Sequence, residues 1–261
     1  MVEQFPLKEE VEGSNPSRLT RRLVSQSGSI VLIKVNIMHG ESFQAHHCFV
    51  HFMKIIKKVS SKEVKRAFVI SDSLRFHKGN TQHMALVTSV EFNNLLQKHK
   101  KQILTLGVNE LNSHMTKGRK QGKKYMLFRQ SRLNAYSNYS WFLARFSTHE
   151  LGVWKNAGGL PYSWTKDSLF DTAKYINKYL FTSKIIKWPR IKYALKGITS
   201  MLGTIKEEKY LYPIVFMAGS GTKGRRWCNK MKGDIDDGNM RAISLAASGE
   251  KFITVYFGKP N

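Results

Sequence analysis

The sequence predicts an α+β domain, an antiparallel sheet with flanking helices. Short apolar runs sized for strands alternate with stretches of helical spacing, and no helical run is long. No internal repeat or low-complexity tract overrides that pattern. A chain of 261 residues that is 41% hydrophobic can bury a substantial core.

Residues 1–52 read as an N-terminal extension, unfolded or the product of a start taken too far upstream. Within it, Glu10-Val11-Glu12-Gly13-Ser14-Asn15-Pro16-Ser17-Arg18 resembles a translated T-arm of a transfer-RNA gene. On that reading Met38 or Met53 is the true start; on the other, the segment is a flexible arm. Residues 53–205 form the patterned domain, and 206–261 a basic C-terminal segment. Arg66-Ala67-Phe68-Val69-Ile70 and Met84-Ala85-Leu86-Val87-Thr88 are apolar runs suited to buried strands. Residues 89–102 switch to helical spacing, with Val90, Leu95, Leu96 and Ile103 on the core side.

A loop follows, Lys117-Gly118-Arg119-Lys120-Gln121-Gly122-Lys123-Lys124, either a solvated connector or a contact loop that phosphates order. Lys124-Tyr125-Met126-Leu127-Phe128 and Trp141-Phe142-Leu143-Ala144-Arg145-Phe146 read as strands joined by a polar turn over 131–140. Gly158-Gly159-Leu160-Pro161 marks a loop. A helix starts at Asp167 or Ser168, either of which can cap it, and ends before Trp188-Pro189. Leu169, Ala173, Ile176 and Leu180 are its apolar stripe.

Charge narrows the partner. Lys and Arg number 43 against 18 Asp and Glu, a net +25, an excess that calls for a neutralising polyanion. Nucleic acid is that partner by default, because each phosphate contact releases counterions. Lys184, Lys187, Trp188, Arg190, Lys192, Tyr193 and Lys196 interleave cations with rings, a mixture able to hold a backbone while stacking bases. Lys223, Arg225, Arg226, Trp227, Lys230 and Lys232 repeat it. The two cysteines, Cys48 and Cys228, form no CxxC pair, which suits a reducing compartment. No apolar run approaches a bilayer span, and the first thirty residues are polar. These features point to an intracellular protein without a membrane partner.

Tyr175 and Tyr179 are four apart on the predicted helix, so their phenols stack one turn above the other, with Lys174 and Lys178 nearby. A phenolate can attack a phosphodiester when a cation stabilises the developing charge. The bland alternative is a pair of packing tyrosines. Gly219-Ser220-Gly221-Thr222-Lys223-Gly224 lacks the phosphate-loop order and reads as a turn.

Tyr175-Ile176-Asn177-Lys178-Tyr179-Leu180, followed by Ser183-Lys184, resembles the nucleophile helix of rolling-circle replication initiators in the HUH endonuclease superfamily, of the microvirus and plasmid type. Trp154-Lys155-Asn156-Ala157-Gly158 upstream and Gly224-Arg225-Arg226-Trp227-Cys228-Asn229 downstream look similar in order and spacing. The resemblance implies a ferredoxin-like HUH domain that nicks single-stranded or hairpin DNA. It also implies Tyr175 and Tyr179 as nucleophiles, Lys178 as an electrostatic aid, host replication machinery as a partner, and Mg²⁺ or Mn²⁺ in active members.

The metal motif departs from the family. Gln130 stands where it has a carboxylate, and Asn138 and Ser140 stand at its two histidines. None of the three is a strong ligand. His47, His51 and His149 are poor substitutes, since the first two lie in the extension and the third follows the strand. A catalytically inactive relic that only binds nucleic acid, and an unrelated RNA-binding protein, remain the alternatives.

Overall fold

Tyr139–Ser147 shows how the chain builds its layers. Trp141 and Leu143 pack with one group of buried residues, whereas Ala144 and Phe146 pack with another. Successive side chains of a strand point to opposite faces, so both faces here are covered. The structure is a computed structural model that describes residues 20–24, 30–34, 53–75, 89–117, 123–180, 188–199, 212–220 and 231–261.

The chain divides into two units, Met1–Phe49 and Val50–Asn261. In the first, β1 (Thr20–Val24) pairs antiparallel with β2 (Ile30–Lys34), from Thr20 opposite Lys34 to Val24 opposite Ile30.

The second unit holds one sheet. Its strands are β3 (Lys54–Val59), β4 (Tyr139–Ser147), β5 (Leu151–Gly152), β6 (Ile214–Met217), β7 (Gly233–Asp237) and β8 (Phe252–Pro260), in the order β3-β4-β8-β6-β7-β5. The expectation of an antiparallel sheet needs correction, because the sheet is mixed. β3/β4, β4/β8 and β6/β7 are antiparallel, but β6/β8 and β5/β7 are parallel. Residues 206–261 also do not stand apart. They supply three of the six strands, including β8, which lies between β4 and β6. The mixed α and β composition is as expected.

The helices of this unit are α1 (Ser61–Arg75), α2 (Ser89–Lys98), α3 (Lys100–Thr105), α4 (Val108–Thr116), α5 (Lys123–Ala135), α6 (Leu169–Asn177), α7 (Pro189–Thr199) and α8 (Asn239–Ala247). One face of the sheet, with Trp141, Ile214, Phe216 and Tyr256, packs with α1, α3, α4 and α5. The other, with Ala144, Phe146, Val215, Ile235, Ile253, Val255 and Phe257, packs with α6, α7 and α8. Gly258 sits opposite Trp141, and a Cβ there would meet the indole at 2.9 Å, so the ring lies directly over the backbone.

Two expected strands are helices. Arg66-Ala67-Phe68-Val69-Ile70 lies inside α1, whose first turn is capped by Ser60 Oγ accepting from Glu63 N at 3.1 Å. Residues 67–73 are all buried, so the helix shows no polar stripe there and reads like a buried strand. Lys124-Tyr125-Met126-Leu127-Phe128 opens α5, and the polar turn expected over 131–140 is the rest of that helix plus a 3-10 turn at Tyr136–Asn138. The buried positions Arg129, Arg132, Leu133 and Tyr136 are spaced for a helix, but two are arginines, which hid the period.

Residues 89–102 are helical as read, in α2 and α3, with Ile103 buried, Leu95 and Leu96 half-buried, and Val90 exposed instead of core-facing. The run at 84–88 and residues 118–122 of the basic loop lie outside the described residues. β4 and α6 fall where expected; Ser168 caps α6, and Leu169, Ala173 and Ile176 are buried. Among the described residues no helix is long and apolar enough to cross a membrane.

The buried arginines bind α5 and α1 to the sheet. Arg129 pairs with Asp72 and donates to Ser73 Oγ at 2.7 Å. Arg132 pairs with Asp236 of β7, and Tyr136 Oη donates to the same carboxylate at 2.8 Å. Burial works against the charge on Arg132, but Asp236, Tyr136 and Asp237 outweigh it and raise the guanidinium pKa. Removing one partner of such a pair strands the other charge. Arg132→Ala is expected to cost about 3–5 kcal/mol in urea unfolding followed by circular dichroism, with a loss under ~1 kcal/mol refuting the assignment.

Candidate nucleic-acid-binding cleft

The segment from residue 153 to α6 is a loop held by its own polar groups. Trp154 N donates to Asn239 Oδ1 at 3.0 Å, and Asn156 N donates to Thr165 Oγ1 at 3.2 Å. Lys166 N donates to Thr172 Oγ1 at 2.9 Å, tying the loop to α6. Gly158 and Gly159 have positive φ (58° and 92°), and a Cβ on Gly158 would strike Met240 of α8. These glycines let the turn press against the helix layer. The loop expected at that position is therefore a fixed platform beside α6.

Tyr175 and Tyr179 meet on this platform. Tyr179 Oη donates to Tyr175 Oη at 3.3 Å, and the ring centroids are 5.3 Å apart. Trp164 stacks on Tyr179 at 4.6 Å with 15° between planes, and meets Tyr175 edge-on at 6.0 Å. Lys166 Nζ lies 4.4 Å and Lys178 Nζ 5.8 Å from the Tyr175 ring centre. Beside them is an open cleft of about 440 Å³ lined by Tyr175, four lysines (155, 166, 174 and 178), Asp167 and Asp171. Both tyrosines are half-buried, not sunk among apolar side chains.

The two phenols differ. The hydrogen bond that Tyr179 donates, then desolvation and the neighbouring Tyr175, push the Tyr179 phenol above its ordinary pKa, with Lys178 and Lys166 pulling the other way. Tyr175 receives that hydrogen bond on its phenolic oxygen.

Other expected residues divide. Trp188 is 71% exposed, and Arg190 and Lys192 are exposed on α7; Trp188 and Lys192 are one helical turn apart. Arg190 lies over Gly159, at the edge of the platform. Lys184, Lys187, Arg225, Arg226 and Trp227 lie outside the described residues, as do Tyr193's side chain, His47 and His51. Gly219 and Ser220 belong to a turn, with Ser220 N donating to Met217 O at 3.0 Å.

The positions expected to hold a metal do not assemble. Gln130, exposed on α5, hydrogen-bonds Asn134 at 3.1 Å, whereas Ser140 Oγ donates to Asn261 Oδ1 at 2.9 Å. Ser140 is at the start of β4, and α6 packs against the turn after the other end, Thr148–Glu150. The seven residue steps from Ser140 to Ser147 span roughly 23 Å. A strand bearing 138–140 that faces the tyrosines is thus not found. His149 stacks on Phe170 at 3.9 Å. Among the described residues no group of three or more His, Cys, Asp or Glu side chains could hold a metal ion. A divalent cation does not fit the expected ligand set.

Sequence reasoning missed Trp164, Lys166, Asp167 and Asp171 as site residues. The signal was legible: Tyr162-Ser163-Trp164-Thr165-Lys166 has the ring–cation mixture noted elsewhere in the chain, but it follows the Gly-Gly-Leu-Pro loop mark. Comparison with protein-family profiles, curated proteins and solved structures gives no match for this chain.

If the Tyr179–Tyr175 hydrogen bond dominates the upward shift, Tyr175→Phe lowers the Tyr179 pKa towards an ordinary phenol. Titration followed by NMR of tyrosine-ring carbons reads this directly, and an unchanged Tyr179 midpoint refutes it.

Proposed function

We propose that this chain is a DNA-binding protein of replication-initiator type that holds single-stranded DNA in the Tyr175–Tyr179 cleft. One observation carries the reading: two phenols 3.3 Å apart stand beside an open cleft lined by four lysines. Lysines supply the phosphate contacts, and Trp164 and the tyrosines supply the ring surfaces on which bases stack. The net charge of +25 and the order of the Trp-Lys, Tyr-Lys-Tyr and Arg-Arg-Trp segments support it. Because Gln130, Asn138 and Ser140 do not join the cleft, binding without cleavage is the function the geometry supports best.

Strand transfer is the second reading, favoured by the hydrogen bond that Tyr175 Oη receives. In that step Tyr175 Oη attacks phosphorus and the bond to the 3′ oxygen breaks. The 5′ phosphate stays on the tyrosine, and the phenolic proton ends on the departing 3′ hydroxyl.

Fluorescence anisotropy with a labelled single-stranded oligonucleotide tests the binding. Charge reversal of Lys166 and Lys178 together is expected to weaken affinity about tenfold or more and to flatten its salt dependence. Unchanged affinity and slope reject the cleft as the binding site. A covalent protein–DNA adduct in Mg²⁺ or Mn²⁺ that Tyr175→Phe abolishes would establish strand transfer. Absence of any adduct removes that second reading and leaves binding intact.

A further inference from the structure

Asp167 and Asp171 are out of place in a cleft that holds only phosphates, since each weakens the field of the four lysines beside it. Local structure engages both carboxylates. Asp171 Oδ2 accepts from Ser168 Oγ at 2.6 Å, and Asp167 Oδ1 pairs with Lys155 at 3.1 Å. Asp171 is exposed in the first turn of α6, and among the described residues no hydrogen bond reaches its Oδ1. The Asp167 side chain is 68% exposed.

We propose that the cleft reads a base as well as a backbone, with Asp171, assisted by Asp167, accepting from an exocyclic amino group. The inference rests on the single-strand reading above. A carboxylate offers only acceptors, so it pairs with the N4 amino group of cytosine and is repelled by the O4 carbonyl at the same place in uracil or thymine. Tyr175, one helical turn beyond Asp171 and lining the same cleft, offers its ring to the base, a contact that every base can make. Stacking thus gives affinity without preference, the lysines grip phosphate without preference, and the carboxylate supplies the discrimination. Asp171 has the stronger claim, because its bond to Ser168 fixes one oxygen and so sets the direction of the other.

Oligo-deoxycytidine and oligo-deoxyuridine of equal length differ at the base only in this amino-for-carbonyl exchange and the N3 proton that goes with it. Anisotropy titrations at one salt concentration are expected to show the cytidine strand bound at least about fivefold more tightly by the full chain. Asp171→Asn should erase most of that preference while binding the uridine strand as well as or better than before, because a negative charge has gone. Far-UV circular dichroism checks that the variant keeps its helix content; should it not, Asp167→Asn alone is expected to reduce the preference. Equal binding of both strands by the unaltered protein, or a preference that survives both substitutions, overturns the proposal while leaving single-strand binding in place. Failure to bind either strand overturns both.

Discussion

Arg132 reaches from α5 into the sheet, and the rest of the fold is arranged around what it finds there. Its Nε donates to Asp236 Oδ2 at 3.1 Å and its Nη2 to the Asp236 carbonyl at 2.8 Å, so one guanidinium holds both a side chain and the backbone of β7. Taking two charges out of water is costly, and only geometry of this kind offsets the cost. Tyr136 completes the shell around Asp236, and its own phenol, buried beside that carboxylate, is pushed well above its ordinary pKa. Burial is the largest cause, with Arg132 opposing it. Next along the strand, Asp237 accepts from Ser71 of α1 and from Arg241 of α8, both at 3.0 Å. Since α1 and α8 lie on opposite faces of the sheet, β7 fastens both helix layers to one strand.

This arrangement explains what the sequence disclosed. β4 and α6 were legible because each obeys its period: Trp141, Leu143 and Ala144, Phe146 alternate between faces, and Leu169, Ala173 and Ile176 recur at helical spacing. α1 and α5 were not, because the core they enter is partly ionic. In α5 the buried positions include Arg129 and Arg132, which count as polar in any hydrophobic pattern. β7 failed for the same reason, since Gly233-Asp234-Ile235-Asp236-Asp237 has three acids yet all five residues are buried. The tyrosine pair was legible from its spacing alone. The loop that gives it a Trp and a Lys has a ring–cation mixture of its own, but its place beside α6 depends on tertiary contacts that spacing does not encode.

The same ion pairs leave the excess charge untouched. Asp72, Asp236 and Asp237 face Arg129, Arg132 and Arg241 inside the protein. Each pair removes one charge of either sign, so the whole excess of +25 lies outside these three pairs. Four lysines against two aspartates line one cleft, which gives that cleft a local surplus of cations and a field that attracts anions. The buried pairs hold the layers together, and the surface field is set independently of them.

The separation of the tyrosines from residues 138–140 bears on chemistry more than on binding. A phenol attacking phosphorus needs its proton removed and the new charge on the phosphoryl oxygens stabilised in the same place. Around Tyr175 the structure offers Lys166, Lys178 and the hydrogen bond from Tyr179. The two lysines favour an anion beside the ring, so they would serve a binding cleft and a catalytic one alike. What would tell the two apart is a group that acts on the leaving 3′ oxygen. Asn138 and Ser140 stand at the far end of β4, and Ser140 is already engaged with Asn261. The lysines and the phenol of the cleft can therefore hold a phosphate, while the positions expected to carry a metal lie apart from it.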